Sequence, residues 1–233
     1  MAKATAAELG HLFEDIETDK IGVVRLDDWR DTPLWPKVQN LLPGAESIVV
    51  LAQEVFPEVV KHLTPKVLVG EMALRDLYNR NSEIIGGHLD WEAYKMVKRL
   101  HRQGFKGLPL PACGSPYEAR FLESPLSYDH AAQAAGLGVL GWHSMLITPE
   151  YGPRVRLACV ITDALLKPSA PSSDELPCAK CDGACIKICP VTAITKPQGS
   201  ETCSIDKYAC STYLNASGNC AQCLKVCPVG KMA

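Results

Sequence analysis

Cys178-Ala-Lys-Cys181-Asp-Gly-Ala-Cys185-Ile-Lys-Ile-Cys189-Pro190 and Cys220-Ala-Gln-Cys223-Leu-Lys-Val-Cys227-Pro228 are the two stretches on which the reading of this chain turns. Both open on a Cys-x2-Cys pair and both close on Cys-Pro. Nine of the eleven cysteines lie after residue 177, and only Cys113 and Cys159 precede it. Thiols grouped in this way are metal ligands or disulfide partners, and the compartment decides between them. The N-terminus, MAKATAAELGHLFEDIETDK, has no charged-then-apolar signal pattern and no twin arginine. A cytoplasmic chain is therefore expected, in which thiols stay reduced. An odd cysteine count points the same way.

Each run resembles the bacterial ferredoxin pattern for a [4Fe–4S] cube. A tight loop lets thiolates at short spacing reach neighbouring corners of one cube. The last cysteine, four residues on, lies about one helical turn away and can reach a different cube. Two cubes need eight thiolates, and the two runs supply seven. The eighth is Cys203 or Cys210, with Cys210 preferred. Exchange of the last cysteines then gives Cys178, Cys181, Cys185 and Cys227 to one cluster. The other takes Cys189, Cys210, Cys220 and Cys223. Three residues separate Cys181 from Cys185, where the commonest pattern has two; Gly183 lies in that gap and lets the loop absorb the extra residue. A zinc ribbon also uses Cys-x2-Cys pairs, but not two interlocked runs each ending in Cys-Pro. Disulfides and a single or three-iron cluster are the other readings. Cys113 and Cys159 are expected to be structural and Cys203 a spare thiol.

The rest of the composition is ordinary. The chain has 233 residues, 47% hydrophobic and 21% charged, with a net charge of −2. Such a chain buries one core with a small satellite and carries no electrostatic case for a nucleic-acid partner. No apolar run approaches the ~18 residues of a membrane span, so no membrane partner is expected. Lys167-Pro-Ser-Ala-Pro-Ser-Ser-Asp174 reads as a linker, giving a larger domain over 1–172 and a cysteine-held domain over 173–233. Leu9, Leu12, Phe13 and Ile16 predict an amphipathic helix. Ser47–Ala52 predicts a buried strand. Leu89, Ala93, Met96, Val97 and Leu100 have helical spacing, and 126–135 predicts a further helix. Val155, Leu157, Cys159 and Ile161 alternate as a strand ending near Thr162, with Pro149–Pro153 as the turn before it. Helices and strands without strict alternation predict an α+β fold.

Gly136-Leu137-Gly138-Val-Leu-Gly141 matches G-x-G-x-x-G. A dinucleotide site needs a strand before this motif and a helix after it. Here the preceding segment reads as helix and Ser144–Thr148 as strand, so the order is inverted. The glycines are expected to end a helix and let the backbone approach something flat. Leu126-Ser-x3-Ala131-x3-Ala135-Gly-Leu-Gly138-x2-Gly141, then Leu146–Leu157 with its Arg154-Val-Arg156, then Thr162-Asp163 and the two cysteine runs, resembles the epoxyqueuosine reductase family and the related corrinoid reductive dehalogenases. The resemblance covers roughly 40–55 and 105–233. It implies a nitroreductase-like domain holding cobalamin and a ferredoxin-like domain whose clusters feed electrons singly to cobalt.

On this resemblance Gly136, Leu137, Gly138 and Gly141 would lie against the corrin. Ser127, His130 and Trp142 would stand near its rim, and Arg154 would pair with phosphate or propionamide edges. The family's proton-donating aspartate falls on Leu122, so the adjacent Glu123 is the substitute acid. Tyr128 is the tyrosine candidate, beside Tyr94 and Tyr117. His130 and His143 are the histidines nearest the glycine motif. The sequence given ends six residues after Cys227 and lacks the family's C-terminal helical-repeat extension, so a tRNA substrate is not expected. The leading expectation is a reductase passing electrons through two clusters to a corrinoid that reduces a small-molecule electrophile, fed by an external electron donor. One alternative is an electron-transfer protein that activates a corrinoid partner protein; another is a flavin-dependent reductase on the same fold.

Overall fold

The computed structural model describes residues 11–32, 34–64, 71–112, 120–172, 177–197 and 204–230. It mixes helices with antiparallel strand pairs, the content predicted. The chain divides into two compact units: Met1–Gln53, Ile85–Leu137 and Arg156–Ser172 form the first, and Glu54–Ile84, Gly138–Val155 and Ser173–Ala233 the second. The cysteine-rich segment thus shares its unit with two earlier stretches.

The first unit is built on a four-stranded sheet of order β1-β2-β6-β3. β1 (Lys20–Arg25) pairs antiparallel with β2 (Ser47–Glu54), Val23 opposite Val49. β3 (Gly107–Leu110) pairs antiparallel with β6 (Val155–Thr162), Leu110 opposite Cys159. β2 and β6 are the inner strands. Ser47–Ala52 is buried at every position, which is why it reads as an unbroken apolar run. The alternation predicted for β6 gives way from Ala158 to Thr162, where both faces are covered. Cys159 has no exposed surface, and burial pushes its thiol far up, so it serves as a small apolar side chain.

Helix α3 (Glu71–Arg102) contributes its second half to this unit, with Leu89, Ala93, Met96, Val97 and Leu100 buried. Helix α4 (Tyr128–Ala134) begins two residues later than predicted because Ser127 is its N-cap, accepting a hydrogen bond from His130 N. It stops at Gly136, whose φ of 74° is left-handed. Gly136 N donates to Gln133 O and Leu137 N to Ala132 O, a Schellman ending. The helix predicted on Leu9–Ile16 is not formed as such. Residues 1–10 lie outside the described residues; His11–Phe13 makes one 3₁₀ turn, and Asp15 turns left-handed. Leu12 is buried all the same, and Arg99 donates to its carbonyl, so one turn suffices to bury the apolar side.

In the second unit, β4 (Val139–Leu140) and β5 (Leu146–Ile147) form a short hairpin. A tight turn follows, closed by Thr148 and Gly152, where Pro149–Pro153 predicted one. The cysteine-rich part runs through a 3₁₀ turn (Pro177–Cys181), α5 (Ala184–Ile188), the β7–β8 pair (Ile194–Thr195 with Ser204–Ile205), α6 (Lys207–Ala216) and α7 (Gln222–Val226). α5 and α7 repeat one device. Each follows a left-handed residue, Gly183 or Ala221, and each ends at the extended Cys189 or Cys227 before its proline. One turn of helix therefore separates the last two cysteines of each run, Cys185 from Cys189 and Cys223 from Cys227.

Candidate functional site

The 3₁₀ turn supplies Cys178 and Cys181, the first turn of α5 supplies Cys185, and the end of α7 supplies Cys227. These four act on one another. Burial pushes the Cys178 thiol up to about 11, and repulsion from Cys181, Cys185 and Cys227 adds to it; the Trp142 N–H, 3.4 Å from Cys178 Sγ, opposes it. Cys185 is raised by burial, then by Cys181, with Cys227 contributing. Cys178, Cys185 and Cys227 are buried with Trp142, Ile147 and Ile194.

A second set forms from Cys189 after α5, Cys210 in α6, and Cys220 and Cys223 around the start of α7. Asp206 caps α6 by accepting from Tyr208 N and Ala209 N, and Cys210 follows one turn later. Burial raises Cys210, and Cys189 and Cys220 raise it further. Cys223 is pushed up to about 12 by burial, then by Cys220 and Cys210, with a lesser effect of Cys185. Cys189 Sγ accepts from Ala193 N at 3.3 Å. Cys227 therefore acts on the first run and Cys189 on Cys210, between the runs. Cys113 and Cys203 lie outside the described residues.

Thiols held this way resist ionisation unless a cation compensates them. All nine described cysteines are free thiols. Among the described residues, no three His, Cys, Asp or Glu side chains are drawn together for a single ion. Four sulfurs on one zinc would stand about 3.8 Å apart, from a bond of ~2.3 Å in tetrahedral geometry. The thiolates of a cube sit on four separate irons and stand wider. All-thiol donors, an apolar surround and N–H···S bonds to Cys178 and Cys189 fit a pair of iron–sulfur clusters.

The residues that the family resemblance brought to a corrin have other neighbours in the chain. A Cβ on Gly136 would overlap Ala170 O, and one on Gly138 would overlap Ile147 O. On Gly141 it would lie 2.6 Å from Ile147 Cδ1 and 2.7 Å from His143 Cε1. Gly136 and Gly138 are thus required by the close approach of backbone, whereas at Gly141 only side-chain atoms would have to shift. Leu137 is buried over Gly22. Trp142 lies in the core around the first thiol set, with Lys196 Nζ 5.6 Å from its ring. Arg154 is buried and pairs with Glu54 at 2.6 Å, also donating to Val55 O and Gly230 O. Ser127 Oγ stands 2.7 Å from Nδ1 of His130, which is exposed. The Tyr128 hydroxyl donates to Pro111 O at 3.0 Å. Glu123 is exposed, beside a left-handed Leu122. His143 is buried; Nδ1 accepts from Met145 N, and Nε2 has no partner. These residues belong to two different units of the chain. Sequence reasoning missed Arg75 and Asn79, which hold the loop before Cys220. A lone arginine in a polar helix reads as solvated, and nothing in the sequence marks it otherwise.

No family model matches the chain. A tetrachloroethene reductive dehalogenase of Dehalobacter restrictus is 27% identical over 219 residues, covering 86% of this chain and 35% of that protein. An epoxyqueuosine reductase of Bacillus cereus is 29% identical over 211 residues, covering 83% of this chain and 50% of its own length. Its homologues are reductive dehalogenases and epoxyqueuosine reductases. The chain spans a third to a half of these curated relatives. Among solved structures, a reductive dehalogenase whose structure suggests a mechanism for B12-dependent dehalogenation superposes with a TM-score of 0.67 at 18% identity, over 92% of this chain and 30% of that one. An epoxyqueuosine reductase in complex with a tRNA stem loop gives 0.56 at 21% identity, over 96% of this chain and 64% of that one. At these identities the structures establish a shared fold. Among the described residues no helix is long and apolar enough to cross a membrane.

Proposed function

We propose that this chain is an iron–sulfur oxidoreductase that passes single electrons through two [4Fe–4S] clusters to a corrinoid, which reduces a small electrophile. The observation that carries the reading is the grouping of eight thiols, with Cys178, Cys181, Cys185 and Cys227 in one set and Cys189, Cys210, Cys220 and Cys223 in the other. Helices α5 and α7, which carry Cys185 and Cys223, pack against one another, which supports a short path for an electron between clusters. When bound, the clusters supply one-electron storage at low potential. The chain's part is to hold the thiolates, surround them with apolar side chains and direct the N–H groups of Trp142 and Ala193 at sulfur. A nitroreductase-like arrangement for the first unit and a ferredoxin-like one for the second are part of the same proposal.

The corrinoid rests on the relatives, among them a B12-dependent dehalogenase, and not on a side-chain cradle. Glu123 and Tyr128 remain the proposed proton donors, Glu123 favoured because its carboxylate is exposed while the Tyr128 hydroxyl serves Pro111. The substrate is proposed to be a small molecule, with the tRNA-bound relative making a tRNA stem loop the competitor. Titrating the anaerobically purified chain with cobalamin tests the acceptor. Shifted corrinoid bands and a raised melting temperature are expected; bands unchanged at saturating cobalamin overturn it. A gel shift with an unmodified tRNA stem loop is expected to show no binding.

A further inference from the structure

Arg75 has no exposed surface. It stands in the part of α3 that belongs to the second unit. Its Nη1 donates to Ser217 O at 2.7 Å and to Asn219 O at 3.1 Å, and its Nη2 donates to Thr64 O at 2.8 Å. One turn further, Asn79 Nδ2 donates to Gly218 O at 3.2 Å, and Asn79 Oδ1 accepts from Asn219 Nδ2 at 2.5 Å. The three consecutive carbonyls of 217–219 are thus each held by a side chain of α3.

The loop they hold needs holding. Its backbone is left-handed at Gly218 (φ 65°), Asn219 (φ 96°) and Ala221 (φ 51°). For Asn219 and Ala221 such backbone is strained and persists only where the surroundings over-determine it. Between them lies Cys220, whose N–H donates to Asn219 Oδ1 at 2.7 Å. The same Asn219 side chain is gripped by Asn79. A continuous chain of hydrogen bonds therefore runs from Arg75 and Asn79 through the loop to the backbone N–H of Cys220, a residue of the second set.

We propose that Arg75, assisted by Asn79, is the positioning residue of the second cluster: it fixes the loop that presents Cys220 and sets a buried positive charge beside that cluster. The inference rests on the two-cluster reading above. Reduction adds one electron and one negative charge to a cluster, with no bond broken and no proton moved. A guanidinium in a low-dielectric surround favours the more negative state and so raises the potential. Removing it lowers the potential of one cluster and leaves the first, held by other loops, unchanged.

The full chain, reconstituted anaerobically with iron and sulfide, provides the test through Arg75→Met, Arg75→Lys and Asn79→Ala. Iron and sulfide are counted, each couple is followed by EPR-monitored redox titration, and iron release to a chelator is timed. Arg75→Met is expected to lower the reduction equilibrium of one couple about tenfold, 59 mV for one electron, and leave the other in place. Arg75→Lys is expected to restore at least half of that shift. Asn79→Ala keeps the charge and is expected to release four irons several-fold faster than the rest. Two unmoved couples in a fully loaded Arg75→Met, an equal shift of both, or a lysine variant no better than methionine overturns the proposal. Where Arg75→Met does not load, Asn79→Ala decides: selective release of four irons supports it, and uniform release overturns it. Wild-type protein with about four irons or fewer overturns the two-cluster reading itself, which is a separate result.

Discussion

A thiolate surrounded by three others in an apolar setting is stable only with a cation among them, and at the residue scale each cysteine can be asked for its share. Cys210→Ser is expected to leave about four irons per chain, because it removes a thiol whose neighbours are Cys189 and Cys220. Cys203→Ser is expected to keep the full complement; iron analysis of the two variants separates them. Gly138→Ala would drive a methyl into the backbone of Ile147, which has no flexible end to give way. A loss of about 3 kcal/mol is expected in denaturant unfolding, at the upper end of overpacking costs. His143 gives the pH dependence. Burial lowers it to about 4 from 6.5. Above pH 6.5 it is neutral in both folded and unfolded chains. Between 6.5 and 4 only the unfolded chain takes up the proton, so stability falls as pH falls, by about 3 kcal/mol across the window. Unfolding curves of wild type and His143→Gln at pH 7.5 and 5 check this; equal slopes in both proteins would remove His143 from the account.

At the scale of elements, Glu54 at the end of β2 and Arg154 just before β6 form a buried pair. Glu54→Gln leaves the guanidinium buried without its carboxylate, and a loss of about 3 kcal/mol is expected in chemical denaturation. The elements also show what a sequence discloses. β2, α3 and β6 were legible because burial on one face or both leaves periodicity or an apolar run. The inverted order around Gly136 was legible because a helix stop and a following strand carry separate signals. The first turn after Leu9 was not: its amphipathic spacing is satisfied by burying Leu12 from a single 3₁₀ turn. Cys-x3-Cys-Pro disclosed the single helical turn that precedes each Cys-Pro, because that spacing is one turn long. Arg75 and Asn79 were invisible, because hydrogen bonds to backbone carbonyls 142 and 139 residues away leave no trace in spacing.

At the scale of the whole chain, residues 173–233 carry six lysines against five acidic residues, while the full chain has a net charge of −2. The proposed cluster-bearing segment is therefore close to neutral, and charge does not select its electron donor. The relatives are reductases, and on the proposed reading eight thiols hold two clusters. Iron and acid-labile sulfide counted together on the anaerobically reconstituted chain address that reading most directly. About eight of each per chain, with two separable reducible centres by EPR, is the result predicted; four or fewer irons at full loading, or zinc in their place, would contradict it.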